Sequence, residues 1–391
     1  MRNTGSIDQV LASAVAGDRI AGLVATAADA DGVFYHAAFG RLDVSRSAPM
    51  TPDAVFRIAS MTKAITAAAA MQLVEQGRLS LDQPARTVLP FLADTPVLDG
   101  FDAAGQPVLR SPRAAITLRN LLTHTAGFVY DTWNAAMNRY AQLTGLPTAR
   151  SGRLAALQAP LAFDPGTRWE YGINIDIAGR MIEAASGLDL ETYFQRHICA
   201  PLGMVDTTYI QRPDWESRLT TVHDRESGGS LRPAAAPPGV VAEREFFGGG
   251  GGLFSTAADY MRFLRALMQG GEVDGARILR PETVALMGQN HIGALDVQRM
   301  PTQMPNVSND VELFPGMVKK WGLSFLINTA PGSAGRTAGS LAWAGLYNTY
   351  YWLDPIRKVT GVLMTQVLPF ADATVLETLD AFEAAVYRAV A

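Results

Sequence analysis

The sequence predicts an α+β fold, an antiparallel sheet flanked by helices with a mainly helical lobe beside it, and three observations predict it. Near the start, Ile20 to Ala28 and Val33 to Phe39 are apolar runs on either side of Asp29-Ala30-Asp31-Gly32, a hairpin signature. Near the end, Trp321 to Ile327, Tyr347 to Leu353 and Val359 to Val367 read as strands, the last two joined by the short Asp354-Pro355-Ile356-Arg357-Lys358 connection that favours an antiparallel pair. Between them the pattern is mainly helical. A lone hairpin buries too little apolar surface to stand by itself. Residues 1–77 and 240–391 are therefore expected to build one mixed α/β domain and 78–239 a helical lobe, with the site in the cleft between them.

In chain order, residues 7–17 read as a short helix before the hairpin. Ala54-Val55-Phe56-Arg57-Ile58 is β-like and runs into an Ala-rich helical pattern that Gly77 ends. Its Ile65, Ala68, Ala69, Met71 and Val74 spread around the cylinder, as in a helix buried on most sides. From Thr117 a helix closes at His124 to Gly127, and Phe128, Tyr130, Trp133 and Tyr140 follow, either as core or as a pocket wall. Residues 174–186 and 188–199 give two more helices, and 223–247 reads as loop. The five glycines Gly248 to Gly252 lack the Gly-Lys-Ser/Thr of a phosphate loop. They read as permissive backbone entering a helix, because Thr256-Ala257-Ala258-Asp259 has capping-box spacing and Tyr260 to Met268 is amphipathic. Residues 288–318 show no period. A final helix over 372–390 puts Val375, Leu379, Phe382 and Val386 on one face, to lie on the sheet.

Composition excludes several classes of function. Of 391 residues, 48% are hydrophobic and 18% charged, away from the disordered range. A net charge of −4 without a basic cluster gives no reason to expect nucleic acid as a partner. The single Cys199 rules out an internal disulfide framework. No stretch reaches 18 uninterrupted apolar residues, and Met1 to Ser6 has no apolar core of a signal peptide. The expectation is a cytoplasmic protein without a membrane partner, a trimmed signal peptide being compatible with the same sequence. Oligomeric state is not legible. His36, His124, His197, His223 and His291 are dispersed without metal-ligand spacing, so neither a metal nor a cofactor is expected.

The chemistry centres on Ser60-Met61-Thr62-Lys63, the only S-x-x-K in a chain with four lysines. Two readings fit. Ser60 can cap the helix through its hydroxyl, or Lys63, on the same helix face at i+3, can take the Ser60 proton and make it a nucleophile. A G-x-S-x-G elbow is absent. His124 has a motif-like setting, but a Ser-Lys mechanism has no need of it, and it reads as structural.

Two further stretches fall in order behind Ser60: Trp169-Glu170-Tyr171-Gly172 after the turn Asp164-Pro165-Gly166-Thr167, and Ala342-Trp343-Ala344-Gly345-Leu346 before a strand. With them, and with Leu121-Leu122-Thr123-His124-Thr125-Ala126-Gly127 and the run around 251–259, the chain resembles the serine hydrolases of the class C β-lactamase and penicillin-binding-protein fold, most closely their family VIII carboxylesterases. The resemblance runs from about residue 20 to the C-terminus. It implies Ser60 as nucleophile, Lys63 and Tyr171 as a coupled proton-handling pair, and an oxyanion hole from the backbone N–H groups of Ser60 and Leu346. Trp343, Ala344, Gly345, Ile173, Phe128, Tyr130 and Trp133 are the expected substrate contacts. Two departures bear on substrate. The β-lactamase Y-x-N reads Tyr171-Gly172-Ile173 here, with Asn174 one place late, and the strand motif begins with Trp343 in place of lysine. Both remove polar recognition, so a small-molecule ester with a short to medium acyl group is the expected substrate. A β-lactamase or D-alanyl peptidase, an acyltransferase, and a silent binding module are the alternatives.

Overall fold

Seven antiparallel strands from both ends of the chain form the main sheet. They are β1 (Gly22–Asp29), β2 (Gly32–Gly40), β3 (Lys319–Trp321), β4 (Leu326–Asn328), β5 (Leu341–Gly345), β6 (Thr349–Asp354) and β7 (Val359–Met364), in the order β3-β4-β5-β6-β7-β1-β2. The structure is a computed structural model that describes every residue except Met1, Pro238, Val240, Val241 and Ala242. β1 reads Gly-Leu-Val-Ala-Thr-Ala-Ala-Asp and is buried throughout, because it pairs on both sides. Its register sets Val24 opposite Met364 and Ala28 opposite Thr360, which joins the N-terminal hairpin to the C-terminal strands.

Alternation along β6 shows how helices cover the two faces. Tyr351 meets Tyr260 of the Ala257–Met268 helix at 5.2 Å between ring centroids, and its neighbour Trp352 meets Phe382 of the Ala373–Ala389 helix at 5.5 Å. Adjacent strand residues point to opposite faces, so these helices sit on opposite sides of the sheet. The apolar stripe of the last helix is buried as its spacing requires. Thr256 caps its helix by accepting the Asp259 N–H at 3.1 Å.

Three local expectations differ from the structure. Trp321 to Ile327 is not one strand: β3 and β4 are joined by a tight turn in which Ser324 has φ +74° and the Gly322 N–H donates to the Phe325 carbonyl. Continuous apolar character hid that turn. The stretch 223–247 contains a short hairpin, His223–Arg225 with Leu231–Pro233, turning at Gly229; positions 238 and 240–242 of that stretch lie outside the described residues. The helix from Thr117 spans only Leu118–Leu122.

The Thr62–Glu75 helix is the buried axis of the site. Residues Thr62 through Leu73 are all buried, and its alanines let the Asn174–Ser186 helix pack closely against it. Among the described residues, no helix is long and apolar enough to cross a membrane.

A buried ion pair ties the last helix to the β4–β5 connection. Arg336 and Glu383 are 4% and 2% exposed, with Arg336 Nε donating to Glu383 Oε1 at 2.8 Å. Removing one partner strands a buried charge at a cost of about 3–5 kcal/mol, whereas replacing both with apolar groups is often neutral. Arg336→Met is therefore expected to lower unfolding stability by that amount and Arg336→Met/Glu383→Leu to recover most of it, as read by urea denaturation. A single substitution costing no more than the double would contradict this account.

Candidate active site

Ser60 lies in a 3-10 turn, Ala59–Met61, that feeds the Thr62–Glu75 helix. It does not cap that helix. Ala59 holds φ +43°, an uncommon value for a side-chain-bearing residue, immediately before Ser60. Lys63, with no exposed surface, sits one turn on. Its Nζ is 3.0 Å from Ser60 Oγ, 3.2 Å from the Tyr130 hydroxyl and 2.6 Å from the Gly250 carbonyl oxygen. An ammonium has three N–H donors and meets three acceptors here. Once neutral, the amine keeps two donors and turns a lone pair to a neighbouring hydroxyl, which is the geometry for taking the Ser60 proton.

The glycine run supplies that cradle. The Gly250 carbonyl accepts from Lys63, and the Gly249 carbonyl accepts from Thr66 Oγ1 at 2.7 Å. Gly249 and Gly250 have no space for a side chain because the Asn174–Ser186 helix lies against them. A Cβ at Gly249 would come within 2.4 Å of the Ile175 carbonyl, and one at Gly250 within 2.4 Å of Asp176 Oδ2. Asp176 accepts the Gly250 N–H at 3.0 Å; burial raises its pKa, and the charge of Lys63 opposes that rise.

The sequence offers Tyr130 as core or as pocket wall, and in the structure it is a direct partner of Lys63. Burial, then the negative potentials of Asp176 and Tyr171, push its pKa well above that of an ordinary phenol, so it remains a neutral donor. The His124 segment holds the neighbouring chain in place. His124 is fully buried, and burial followed by the charge of Lys63 drives its pKa well below the usual imidazole value. Its neutral ring accepts the Gly172 N–H at 3.4 Å and lies 4.7 Å from the Tyr171 ring. Asn174, displaced by one place from the Y-x-N position, contacts His124 Nδ1 at 3.0 Å and donates to the Phe128 carbonyl at 2.8 Å. The amide nitrogen is used up inside the fold.

Tyr171 places its ring 4.8 Å from Lys63 Nζ, and its hydroxyl accepts the Trp343 indole N–H at 3.1 Å. Trp343 is wedged between Tyr171 and Trp321, with ring centroids at 4.9 and 4.7 Å. Gly345 permits the strand to touch the serine turn, since a Cβ there would lie 2.3 Å from the Ile58 carbonyl. Leu346 then faces the cleft. Asn348, at φ +61°, fixes the turn by donating to the Val367 and Pro369 carbonyls at 2.9 Å each. Among the described residues, no acceptor takes the backbone N–H of Ser60 or of Leu346.

A cleft open to solvent surrounds Ser60. Of the residues expected in it, Ser60, Tyr171, Leu346, Tyr130 and Trp133 line it, and Lys63 lies beneath. Phe128, Ile173, Trp343, Ala344 and Gly345 do not. Phe128 and Ile173 are 0% and 3% exposed core residues, and Trp343 stands behind Tyr171. The apolar substitutions read as selecting a neutral ester therefore do not face the cleft. Arg57, Arg150, Asp176 and Tyr347 line it instead, and sequence spacing carried no signal for them. Among the described residues, no group of three His, Cys, Asp or Glu side chains is placed to hold a metal ion.

Comparison with known proteins agrees with this geometry. The beta-lactamase family model matches residues 7–385. The ML-236A carboxylate methylbutanoyltransferase of Penicillium citrinum is 35% identical, over 97% of this chain and 93% of its own. The lovastatin esterase of Penicillium rubens is 31% identical over 98% of each chain. The unliganded simvastatin synthase of Aspergillus terreus superposes with a TM-score of 0.83 at 34% identity, covering 98% of both chains. The hydrolase EstCE1, at 23% identity and a TM-score of 0.75, shares the fold. The chain belongs to the beta-lactamase family, with its β-lactamase and penicillin-binding-protein-like fold, and is an enzyme of the serine hydrolase and acyltransferase type.

Proposed function

We propose that the protein is an acyltransferase: it forms an acyl-enzyme on Ser60 from an activated ester or thioester of a short acyl group and passes that group to an alcohol, with water as a competing acceptor. The observation that carries the reading is the Ser60 hydroxyl 3.0 Å from a fully buried lysine amine, at the floor of a cleft that opens to solvent between aromatic side chains. Tyr130, Trp133, Tyr171 and Tyr347 give the cleft aromatic walls for a hydrophobic acceptor approaching from its open side. The relatives support transfer over simple hydrolysis, because methylbutanoyltransferases stand alongside the esterase.

In this reading Lys63, neutral, accepts the Ser60 proton as Oγ bonds to the donor carbonyl carbon. The oxyanion is held by the N–H groups of Ser60 and Leu346, which have no other acceptor among the described residues. The donor's C–O or C–S bond breaks, and the leaving group takes the proton back from Lys63 through Tyr130 or Tyr171. The acceptor hydroxyl then gives its proton to the same amine and attacks the acyl carbon; the bond from that carbon to Ser60 Oγ breaks, and Lys63 returns the proton to Oγ, 3.0 Å away, to restore the serine hydroxyl and the neutral amine. Tyr171, polarised by the Trp343 indole, and Tyr130 share the proton route.

Two outcomes are expected. With a butanoyl thioester donor and an added hydrophobic alcohol, product analysis should show ester formed faster than free acid at millimolar alcohol. Free acid as the dominant product across a panel of primary and secondary alcohols would favour the esterase reading. Tyr130→Phe and Tyr171→Phe should each lower kcat by about 100-fold with a smaller change in KM, the range for a positioned proton donor. An unchanged kcat in Tyr130→Phe would remove it from the proton route.

A further inference from the structure

We infer that position 251 sets how large an acyl group the enzyme accepts, because Gly251 leaves free the part of the cleft beside the Ala59–Ser60 peptide, where the carbon next to the acyl carbonyl lies; this deepens the acyl-transfer reading and rests on it. The five glycines of the run are not equivalent. A Cβ at Gly248 would come within 2.9 Å of Asp176 Oδ1, one at Gly249 within 2.4 Å of the Ile175 carbonyl, and one at Gly250 within 2.4 Å of Asp176 Oδ2. Gly252 holds φ +111° with the Tyr209 ring 3.3 Å from where its Cβ would be. Gly251 differs. Its φ lies outside the left-handed region, and a Cβ on it would meet nothing nearer than the Ala59 carbonyl carbon and oxygen, 3.6 Å away in ordinary van der Waals contact. The fold therefore does not require glycine at 251, yet the residue lines the cleft against the peptide that carries the nucleophile. The side chain missing there is space left to the substrate.

Side chains hold the wall around Gly251 in place. The Tyr209 hydroxyl donates to the Gly248 carbonyl at 2.6 Å, Thr66 Oγ1 to the Gly249 carbonyl at 2.7 Å and Lys63 Nζ to the Gly250 carbonyl at 2.6 Å, while Asp176 accepts the Gly250 N–H at 3.0 Å. The Gly251 N–H donates to the Gly248 carbonyl at 3.3 Å. Glycine backbone is intrinsically the freest in a chain, and these bonds remove that freedom. A side chain added at 251 would therefore narrow the cleft rather than shift the run. The cleft has two unlike walls. The rings of Tyr130, Trp133 and Tyr171, with centroids 5.2 to 5.8 Å apart, form one, and Ala59 with Gly250 to Gly252 forms another that is bare of bulky side chains. Lys63 bonds to both, through the Tyr130 hydroxyl and the Gly250 carbonyl, so the Ser60–Lys63 pair bridges them. A hydrophobic acceptor gains most contact on the aromatic wall. That leaves the bare wall to the acyl group.

The test uses para-nitrophenyl acetate and para-nitrophenyl 2-methylpropanoate, which share a leaving group and differ in bulk at the carbon beside the carbonyl. Gly251→Ala should lower the kcat/KM ratio of 2-methylpropanoate to acetate about tenfold relative to wild type, the scale of one methyl group in a fitted pocket, and Gly251→Val should lower it further. Thermal unfolding supplies the second readout. Gly251→Ala should unfold at the wild-type temperature or above it, because alanine restricts the unfolded chain at no steric cost, whereas Gly250→Ala should unfold lower. A Gly251→Ala protein that fails to fold or unfolds well below wild type would show that glycine serves the fold there, and would overturn the inference. An acyl ratio unchanged in Gly251→Ala and Gly251→Val also overturns it. The alcohol side is read by the ratio of propan-2-yl to methyl acetate formed from para-nitrophenyl acetate in a mixture of the two alcohols; a fall in that ratio with the acyl ratio unchanged would move position 251 to the acceptor and equally overturn the inference. In these cases acyl transfer stands. Failure of the wild type to turn over either ester removes the acyl-transfer reading and this inference with it.

Discussion

A lysine amine with no exposed surface must find its hydrogen-bond partners inside the protein, and the architecture around Ser60 follows from that requirement. Three distant segments supply them: the serine turn at the start of the helix, the loop carrying Tyr130, and the Gly250 carbonyl. Each demands further structure. The carbonyl can approach only if the chain is glycine against the Asn174–Ser186 helix. The Tyr130 loop is laced to the Tyr171 segment by the backbone bond from Tyr130 N–H to the Tyr171 carbonyl and by the ring of His124. The serine turn is pressed against Gly345, so sheet and helical segments meet at the nucleophile.

Much of this was legible in the sequence because its signals are local. The i, i+3 spacing of Ser60 and Lys63 gives their 3.0 Å contact directly, since helix geometry alone brings the two side chains together. The N-terminal hairpin, the last helix and the Thr256 cap are likewise written in short-range periodicity. Joining the two ends of the chain into one sheet followed from the instability of either part alone, and the β1–β7 register is its physical form.

What was not legible depends on long-range placement. Tyr130 is 67 positions from Lys63, and nothing in its neighbourhood distinguishes a proton partner from a wall residue. The apolar character of Ile173 and Trp343 was visible, but the direction each faces was not. Ile173 turns into the core, and Trp343 spends its indole N–H on Tyr171 behind the cleft surface. Arguing substrate polarity from those two residues assumed that motif positions keep their facing when their residues change. Arg57 and Arg150 line the cleft in their place.

The central claim is that Ser60, activated by Lys63, carries the acyl group between donor and acceptor. Intact-mass spectrometry after rapid mixing with a butanoyl donor, followed by peptide mapping, tests it most directly. The account predicts one butanoyl group on the Ser60 peptide, formed within the first turnover, lost on addition of an alcohol acceptor, and absent from Lys63→Ala. Undiminished turnover with Ser60 unmodified, or an acyl group on a different residue that exchanges at the catalytic rate, would contradict it.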